Sequence, residues 1–394
     1  EMCIRDRAEP VLSSAGMIIL QVIFWLCVFL ILFSYVLFPA ILQVLARGKS
    51  LGESRFLPEE LPLISVLIAA YNEEEIIGEK IESTLRSSYP AGRLEILVGS
   101  DASTDRTNRI LERLGDRDTR VRLFLFENRS GKPGVINQLV KESRGEILVI
   151  TDANVIPDKE ALIRMAGFFK DPRTGLVDSR MVHTRVSKDG ISLQESFYIS
   201  REVKIKHHES LIWGAMMGPF GGCYAVRKSL YSPVPDNFLV DDFFINMTVL
   251  KAGYRCITGM DAKVYEDVSN SLGEEFRRKK RISAGNFQNL SRFRSMLFSP
   301  LPGVSFCFLS HKVIRWMVPF LVMVTLGASI PLAAHSSFYL VLLLLQLLVL
   351  VIPLIDLFLR KIKIHHLTLR FISHFVVMNM ALLAGFFRSV SYTH

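Results

Sequence analysis

Between Pro10 and Ala46 the chain has no Asp, Glu, Lys or Arg, and a second charge-free run extends from Trp316 to Ile355. Such runs exclude an ordinary amphipathic surface helix, since about 20 apolar helical residues suffice to cross a hydrocarbon core. The first is also too long, and too poor in a small-residue cleavage pattern, for a simple signal peptide. Cysteine is scarce. The five residues Cys3, Cys27, Cys223, Cys256 and Cys307 form no CxxC pair, which excludes a disulfide scaffold and a zinc ribbon. They read as small hydrophobes in a reducing compartment. Neither GxxxxGK[ST] nor GxGxxG occurs, so a P-loop or a dinucleotide fold lacks support. There is no internal repeat and no low-complexity tract. Apolar residues make up 50% of the chain and mean hydropathy is +0.31, which excludes extended disorder.

About four membrane spans are expected from the apolar runs: one within 10–46, then 313–334 and 338–359 joined by a polar turn at Ala334-His335-Ser336-Ser337, then 367–388. Short-flank Lys and Arg set the orientation. Arg47 and Lys49 follow the first span, Lys312 and Arg315 precede the second, and Arg360-Lys361-Ile362-Lys363 follows the third. Arg5 and Arg7 oppose this weakly, among Glu1, Asp6 and Glu9. The expected division is therefore an N-terminal membrane helix (10–46), a cytoplasmic block (48–310) with interfacial helices and a C-terminal membrane region (313–390), in a multi-pass protein of the inner membrane. Net charge is +9, and the run Arg277-Arg278-Lys279-Lys280-Arg281 adjoins membrane helices without interleaved aromatics, which favours anionic lipid over nucleic acid. The ends Met2–Arg7 and Ser389–His394 resemble adapter sequence; if they are foreign, the native termini are missing, and whether a further membrane helix is missing with them stays open.

Strand and helix patterns alternate in the central block. Apolar runs at Leu63–Ala70, Leu94–Gly99, Val121–Phe126 and Glu146–Ile150 are separated by helical patterns at Glu75–Leu85, up to Leu114 and at Val135–Ser143. Buried strands alternating with helices argue a parallel α/β sheet with covered faces. Polar clusters stand at the carboxyl ends of those strands, where open sheets bind ligands. Acidic residues recur there at Glu73-Glu74, Asp101 and Asp152, with a further pair at Asp241-Asp242. Such carboxylates suit a hard divalent cation and the polar groups of a nucleotide. Arg129-Ser130-Gly131-Lys132 adds a basic loop of the kind that meets phosphates.

In order, Ala69–Glu73, Ser100–Asp105, Gly131–Asn137, Thr151–Asn154 and Asp241-Asp242 resemble family 2 glycosyltransferases, over residues 60 to 320. Gly218–Arg227, Gly285–Gln288 and Ser310–Trp316 are similar to a bacterial membrane-bound branch involved in polysaccharide assembly. The resemblance implies a GT-A fold, a nucleotide-diphosphate sugar donor (a UDP-sugar), Mg²⁺ or Mn²⁺, and inversion at the anomeric carbon. Tyr71 and Glu73 fall where the family contacts the base, and Asp101 on the retained aspartate of the "DDGS" element, with Ser100 replacing its partner. Lys132 is assigned to phosphate. Asp152 and Asn154 occupy the metal-binding "DxD" position, a neutral amide replacing the last carboxylate. Asp242 matches the general base of the "ED" element. Arg281 falls on the arginine of "QxxRW", with Arg278 for Gln and Ile282 for Trp, and is placed near donor or acceptor. The other four basic residues of that run are expected on lipid or in solvent.

Asp178 and Asp189 match no motif and are read as solvated, His207-His208 as surface histidines, and Trp213 as core packing. The expected activity is an inverting hexosyl transfer to a lipid-linked or glycan acceptor at the cytoplasmic face. Two alternatives stay open: a processive synthase that extrudes its polymer, disfavoured by four spans and the altered "QxxRW", and an inactive donor-binding assembly subunit, favoured by Asn154.

Overall fold

The computed structural model describes residues 13–52, 56–184, 191–267, 271–301, 303–362, 364 and 366–392. Cys3, Arg5, Arg7, Asp189 and Lys363 lie outside the described residues. The first apolar run forms α1 (Ser14–Leu32), a π-helical turn (Phe33–Leu37) and α2 (Phe38–Leu45), one continuous rod. Eight strands follow: β1 (Ile64–Ala70), β2 (Leu94–Asp101), β3 (Val121–Phe126), β4 (Ile147–Asp152), β5 (Ile156–Pro157), β6 (Thr174–Thr184), β7 (Cys223–Arg227) and β8 (Arg255–Asp267). Between them lie α3 (Ile77–Leu85), α4 (Thr107–Arg117), α5 (Gly131–Glu142), α6 (Ala161–Gly167), α7 (Ser192–Trp213) and α8 (Asp241–Lys251). The chain then returns to apolar helices through α9 (Leu272–Phe293), α10 (Val304–Cys307), a π-helical turn (Phe308–Val313), α11 (Ile314–Ala333), α12 (Ser337–Lys361) and α13 (Leu367–Tyr392).

The strands form one sheet in the order β3-β2-β1-β4-β7-β6-β8-β5. The first four are parallel, as the alternation of mostly apolar strands with helices predicts. The whole sheet is mixed, however: β7 runs antiparallel between β4 and β6. Strand alternation sends Val66, Ile68 and Ala70 to one core with α3 and α4, and Leu67 to another with α5 and α8. That second core continues without a break into Phe38 and Leu42 of α2, Phe308, and Trp316 of α11. Sheet and long apolar helices therefore share packing instead of being joined only by linkers.

Among the described residues, four helical segments are long and apolar enough to cross a membrane: Ser14–Leu45, Val304–Ala333, Ser337–Lys361 and Leu367–Ser389. The second starts well before residue 313, because the π-helical turn carries the helix back through Ser310-His311-Lys312. Among the described residues Cys27, Cys223, Cys256 and Cys307 are free and buried, as expected of small hydrophobes. Trp213 packs edge-on to Phe306, which agrees with a packing role.

Candidate functional site

Register places the acidic residues. Ala69 of β1 lies opposite Asp152 of β4 and Gly99 of β2, so the carboxyl ends of the three central strands finish together. Tyr71, Asp101 and Asp152 thus converge at one edge, the usual ligand-binding edge of an open α/β sheet.

Asp101 is 3% exposed and has an acceptor's environment: the N–H groups of Ser130 (2.7 Å) and Gly131 (2.9 Å) donate to its two oxygens. It thereby fixes the start of α5, where Gly131-Lys132 forms the first turn. Arg129 lies 3.5 Å from the same carboxylate and stacks its guanidinium 3.4 Å from the centre of the Tyr71 ring. The two turns leaving β1 and β2 are interlocked. Asn72 and Ala102 both have left-handed backbone (φ 55° and 56°), and the Asn72 amide oxygen accepts from the Thr104 N–H at 2.9 Å. Left-handed non-glycine residues cost about 1–3 kcal/mol and collect at ligand sites. The Glu73 N–H donates to Thr107 Oγ1, and partial burial and the charges of Asp152 and Asp105 push its carboxyl up.

Lys132 reaches across to the centre of the acidic group. Its ammonium is 2.6 Å from Asp152 Oδ1, 3.7 Å from Asp241 Oδ2 and 3.4 Å from the Gly221 carbonyl. Burial opposes this charge, but Asp152, Asp241 and Asp242 outweigh it and hold the ammonium well above the usual lysine range. Asp241 and Asp242 open α8 behind the N-cap residue Val240, so neither is the N-cap. Burial and the neighbouring Asp241 push the Asp242 carboxyl up to about 6, against the pull of Lys132. The loop Met216–Gly222 closes over the group. The Gly222 carbonyl accepts from the Asp152 N–H (2.9 Å) and from Thr151 Oγ1 (2.9 Å).

Asn154 turns its amide nitrogen to Glu266 Oε1 at 3.3 Å. Among the described residues no group of three or more His, Cys, Asp or Glu is arranged to hold a metal unaided. The chemistry still fits a cation: three carboxylates face a single lysine, and Mg²⁺ commonly uses one or two protein carboxylates plus substrate phosphates. Arg281 is exposed on α9, with no partner among the described residues. Two of its neighbours, expected on lipid or in solvent, turn inward instead: Arg278 and Lys279 lie 3.3 Å and 3.1 Å from Glu195, which is 1% exposed, and both also meet Glu275. An uncompensated buried carboxylate is costly, and these cations offset it.

Asp178, expected in solvent, is wholly buried in β6. Its carboxylate accepts from the Phe220 N–H (3.4 Å) and lies 3.8 Å from the Lys206 ammonium, and burial pushes it up to about 7. Both His207 and His208 are half-buried, not surface, side chains. Lys80, which falls in no sequence motif, is fully buried under the Asp152–Asn154 turn. It donates to Thr151 Oγ1 at 2.8 Å and to the Val155 carbonyl, while burial pulls it down to about 8. A lysine on the Ile77–Ile81–Thr84 face of α3 was the available signal.

Residues 65–233 match the family model described as Glycosyl transferase family 2. A β-monoglucosyldiacylglycerol synthase of Nostoc sp. is 29% identical over 45% of this chain and 38% of its own length. A poly-β-1,6-N-acetyl-D-glucosamine synthase of Staphylococcus aureus is 26% identical over 68% of this chain and 65% of its own. The chain thus spans less than two thirds of either relative. A mannosyltransferase from Pyrobaculum calidifontis, solved with GDP-Man and Mn²⁺, superposes with a TM-score of 0.73 over 95% of this chain and 100% of that one, at 20% identity. That likeness shows the fold, which is GT-A.

Proposed function

We propose that the chain, whose residues 65–233 match the Glycosyl transferase family 2 model, is a transferase of that family and moves a sugar, with inversion, from a UDP-sugar to a lipid-linked or glycan acceptor at the cytoplasmic face of the inner membrane. One observation carries this reading: Asp101, Asp152, Lys132 and the Asp241-Asp242 pair meet at one strand edge. In direct displacement the acceptor oxygen forms a bond to the anomeric carbon as the bond from that carbon to the diphosphate oxygen breaks. The acceptor proton needs a base, and a carboxylate in hydrogen-bond reach can take it. Asp242 suits that role, since a carboxyl held at about 6 is largely ionised at neutral pH yet basic enough to accept a proton. The other product is a nucleoside diphosphate, whose growing charge the Lys132 ammonium would meet. Asp101 and Tyr71, with Glu73 nearby, would hold the nucleoside through the interlocked turns.

A divalent cation would be held by Asp152 with the donor's phosphates, with the amide oxygen of Asn154 as a neutral further ligand. When bound, it would stabilise charge on the leaving diphosphate. Arg281, exposed on α9, is assigned to the donor or the acceptor from outside the acidic group. The proposed division is 10–46 for the first membrane helix, 48–310 for the transferase and 313–390 for the remaining spans, with Lys and Arg flanks on the cytoplasmic side. Relatives named for a glycolipid product and for a polysaccharide support the acceptor classes.

The test is turnover of UDP-glucose, UDP-N-acetylglucosamine and GDP-mannose by the purified full chain, with and without Mn²⁺. We expect hydrolysis or transfer with a UDP-sugar, lost in Asp152→Ala while the fold, read by circular dichroism, persists. No turnover of any donor would favour a donor-binding assembly subunit, and full turnover in Asp152→Ala would overturn the site.

A further inference from the structure

The segment Ser310–Trp316 has no part in the transfer chemistry above, yet Ser310, His311 and Arg315 each bond to distant parts of the chain. It begins in the π-helical turn Phe308–Val313, which lies against the other π-helical turn, Phe33–Leu37, in the first membrane helix. The Ser34 hydroxyl donates to the Ser310 carbonyl at 2.7 Å, and the Arg315 guanidinium donates to the Ser34 carbonyl at 3.3 Å. Such turns are rare and concentrate at functional sites, because the widened helix re-aims side chains and frees carbonyls. His311 is wholly buried. Its Nδ1 lies 2.7 Å from Glu209 Oε1 and its Nε2 lies 2.8 Å from Glu202 Oε2, while Arg315 bonds the other oxygen of Glu202. Glu202 is 4% exposed and Glu209 0%. Burial alone would raise the Glu202 carboxyl, but Arg315 and His311 hold it well below the usual carboxylate range.

Two lines lead from this segment to the acidic group. Glu209 uses its second oxygen to accept from the Met217 N–H at 3.0 Å. Met217 belongs to the loop whose Gly221 and Gly222 carbonyls bond Lys132 and the Asp152 N–H. On the second line, the Trp316 ring meets Phe243 edge-on, with centroids 5.6 Å apart at 68°. Phe243 directly follows Asp242, whose Oδ1 accepts from the Phe243 N–H at 2.8 Å.

We propose that Ser310–Trp316 is a positioning element for sugar transfer, built into the mouth of the second membrane helix. His311 sets the loop at the donor site through Glu209, and Trp316 sets the direction of Asp242 through Phe243. This rests on the reading of Asp152 as a donor contact and Asp242 as the base. Misplacement of a reacting group by about 1 Å can lower a rate by about 10²-fold, so small shifts along either line are measurable.

The experiment compares His311→Gln, Trp316→Leu and Trp316→Phe in the full detergent-solubilised chain, using the donor from the sugar panel that the wild type turns over. Trp316→Leu is expected to lower kcat on the order of 10-fold with donor KM unchanged, because the disturbed group acts only in the transition state. Trp316→Phe restores a ring against Phe243 and is expected to recover most of kcat. His311→Gln is expected to raise donor KM, and the Kd for UDP by calorimetry, more than it lowers kcat. If His311→Gln cannot be recovered folded, Glu209→Gln (which keeps an acceptor for the Met217 N–H) against Glu209→Ala makes the same contrast. Equal kcat for Trp316→Leu and wild type, or losses in kcat and KM that merely track a lower melting temperature, would overturn the proposal. Asp242→Asn separates the two readings. If it transfers normally, the base assignment fails; if it is inactive while Trp316→Leu is normal, only the positioning element fails.

Discussion

Asp242 combines two properties that pull apart, a partly buried position beside another aspartate and the negative charge that its proposed role as base needs. Its folded carboxyl at about 6 stands above the ordinary aspartate value of about 3.9. A raised carboxyl favours the folded state in its neutral form, so that contribution is complete below the unfolded value and is lost as pH rises through about 6. Asp242→Asn removes this opposition. Its melting temperature should exceed that of the wild type at pH 7 to 8, with the difference closing towards pH 4. Activity runs the other way: the Asn variant should transfer about 10²–10⁴-fold more slowly, with the Kd for UDP little changed. Wild-type kcat should itself fall on acidification below about pH 6, as the base is protonated. A variant both more stable and less active at neutral pH is the expected signature, read by differential scanning fluorimetry and initial rates. A variant less stable at pH 8 would mean that Lys132 outweighs burial in setting this group.

The loop Met216–Gly222 shows at the scale of an element why some of the site was legible in sequence and some was not. β1 to β4 were readable because each is a mostly apolar run stopping at a polar cluster, and Asp101 and Asp152 sit at two of those stops. β7 was not, since Cys223–Arg227 carries no sign of direction and its antiparallel run is set by partners on both sides. Asp178 looked solvated because only tertiary structure supplies Lys206 and the Phe220 N–H. For the same reason, no sequence pattern sets Glu202, Lys206 and Glu209 of α7 apart, and only the fold buries them. The loop's glycine can be tested against a control. Gly221 has φ +82°, and a Cβ there would lie 2.7 Å from Asp242 Oδ2; Gly253 has φ +84° with nothing within 4 Å. An alanine at either should cost about 1–2 kcal/mol of backbone strain. Gly221→Ala should in addition abolish transfer, whereas Gly253→Ala should keep near-normal kcat at permissive temperature. Equal kcat in the two variants would remove the loop from the site.

Across the whole molecule, orientation decides whether the acidic group can meet a cytoplasmic donor at all. Positive flanks gather at one end of the helices: Arg47 and Lys49 after the first, Lys312 and Arg315 in the second, Arg360 and Lys361 at the end of α12. At that same end Asp356 joins α12 to α13, 3.3 Å from Arg360 and 3.8 Å from Arg370. At the other end, Trp25 donates to the Tyr339 hydroxyl at 3.2 Å, tying α1 to the start of α12, and the turn between α11 and α12 has neither Lys nor Arg. The asymmetry predicts that the transferase block and the loop near residue 364 face the cytoplasm and that Ser336 faces outward. Single cysteines test this directly, because the four described native cysteines are buried and slow to label. With a membrane-impermeant maleimide on intact cells, Ser336→Cys should react, while cysteines at the exposed positions Ser50 and Arg113 should react only in inverted vesicles. Labelling of Arg113→Cys from outside would place Asp152 and Lys132 in a compartment without nucleotide sugars, and the proposed donor would fall with the topology.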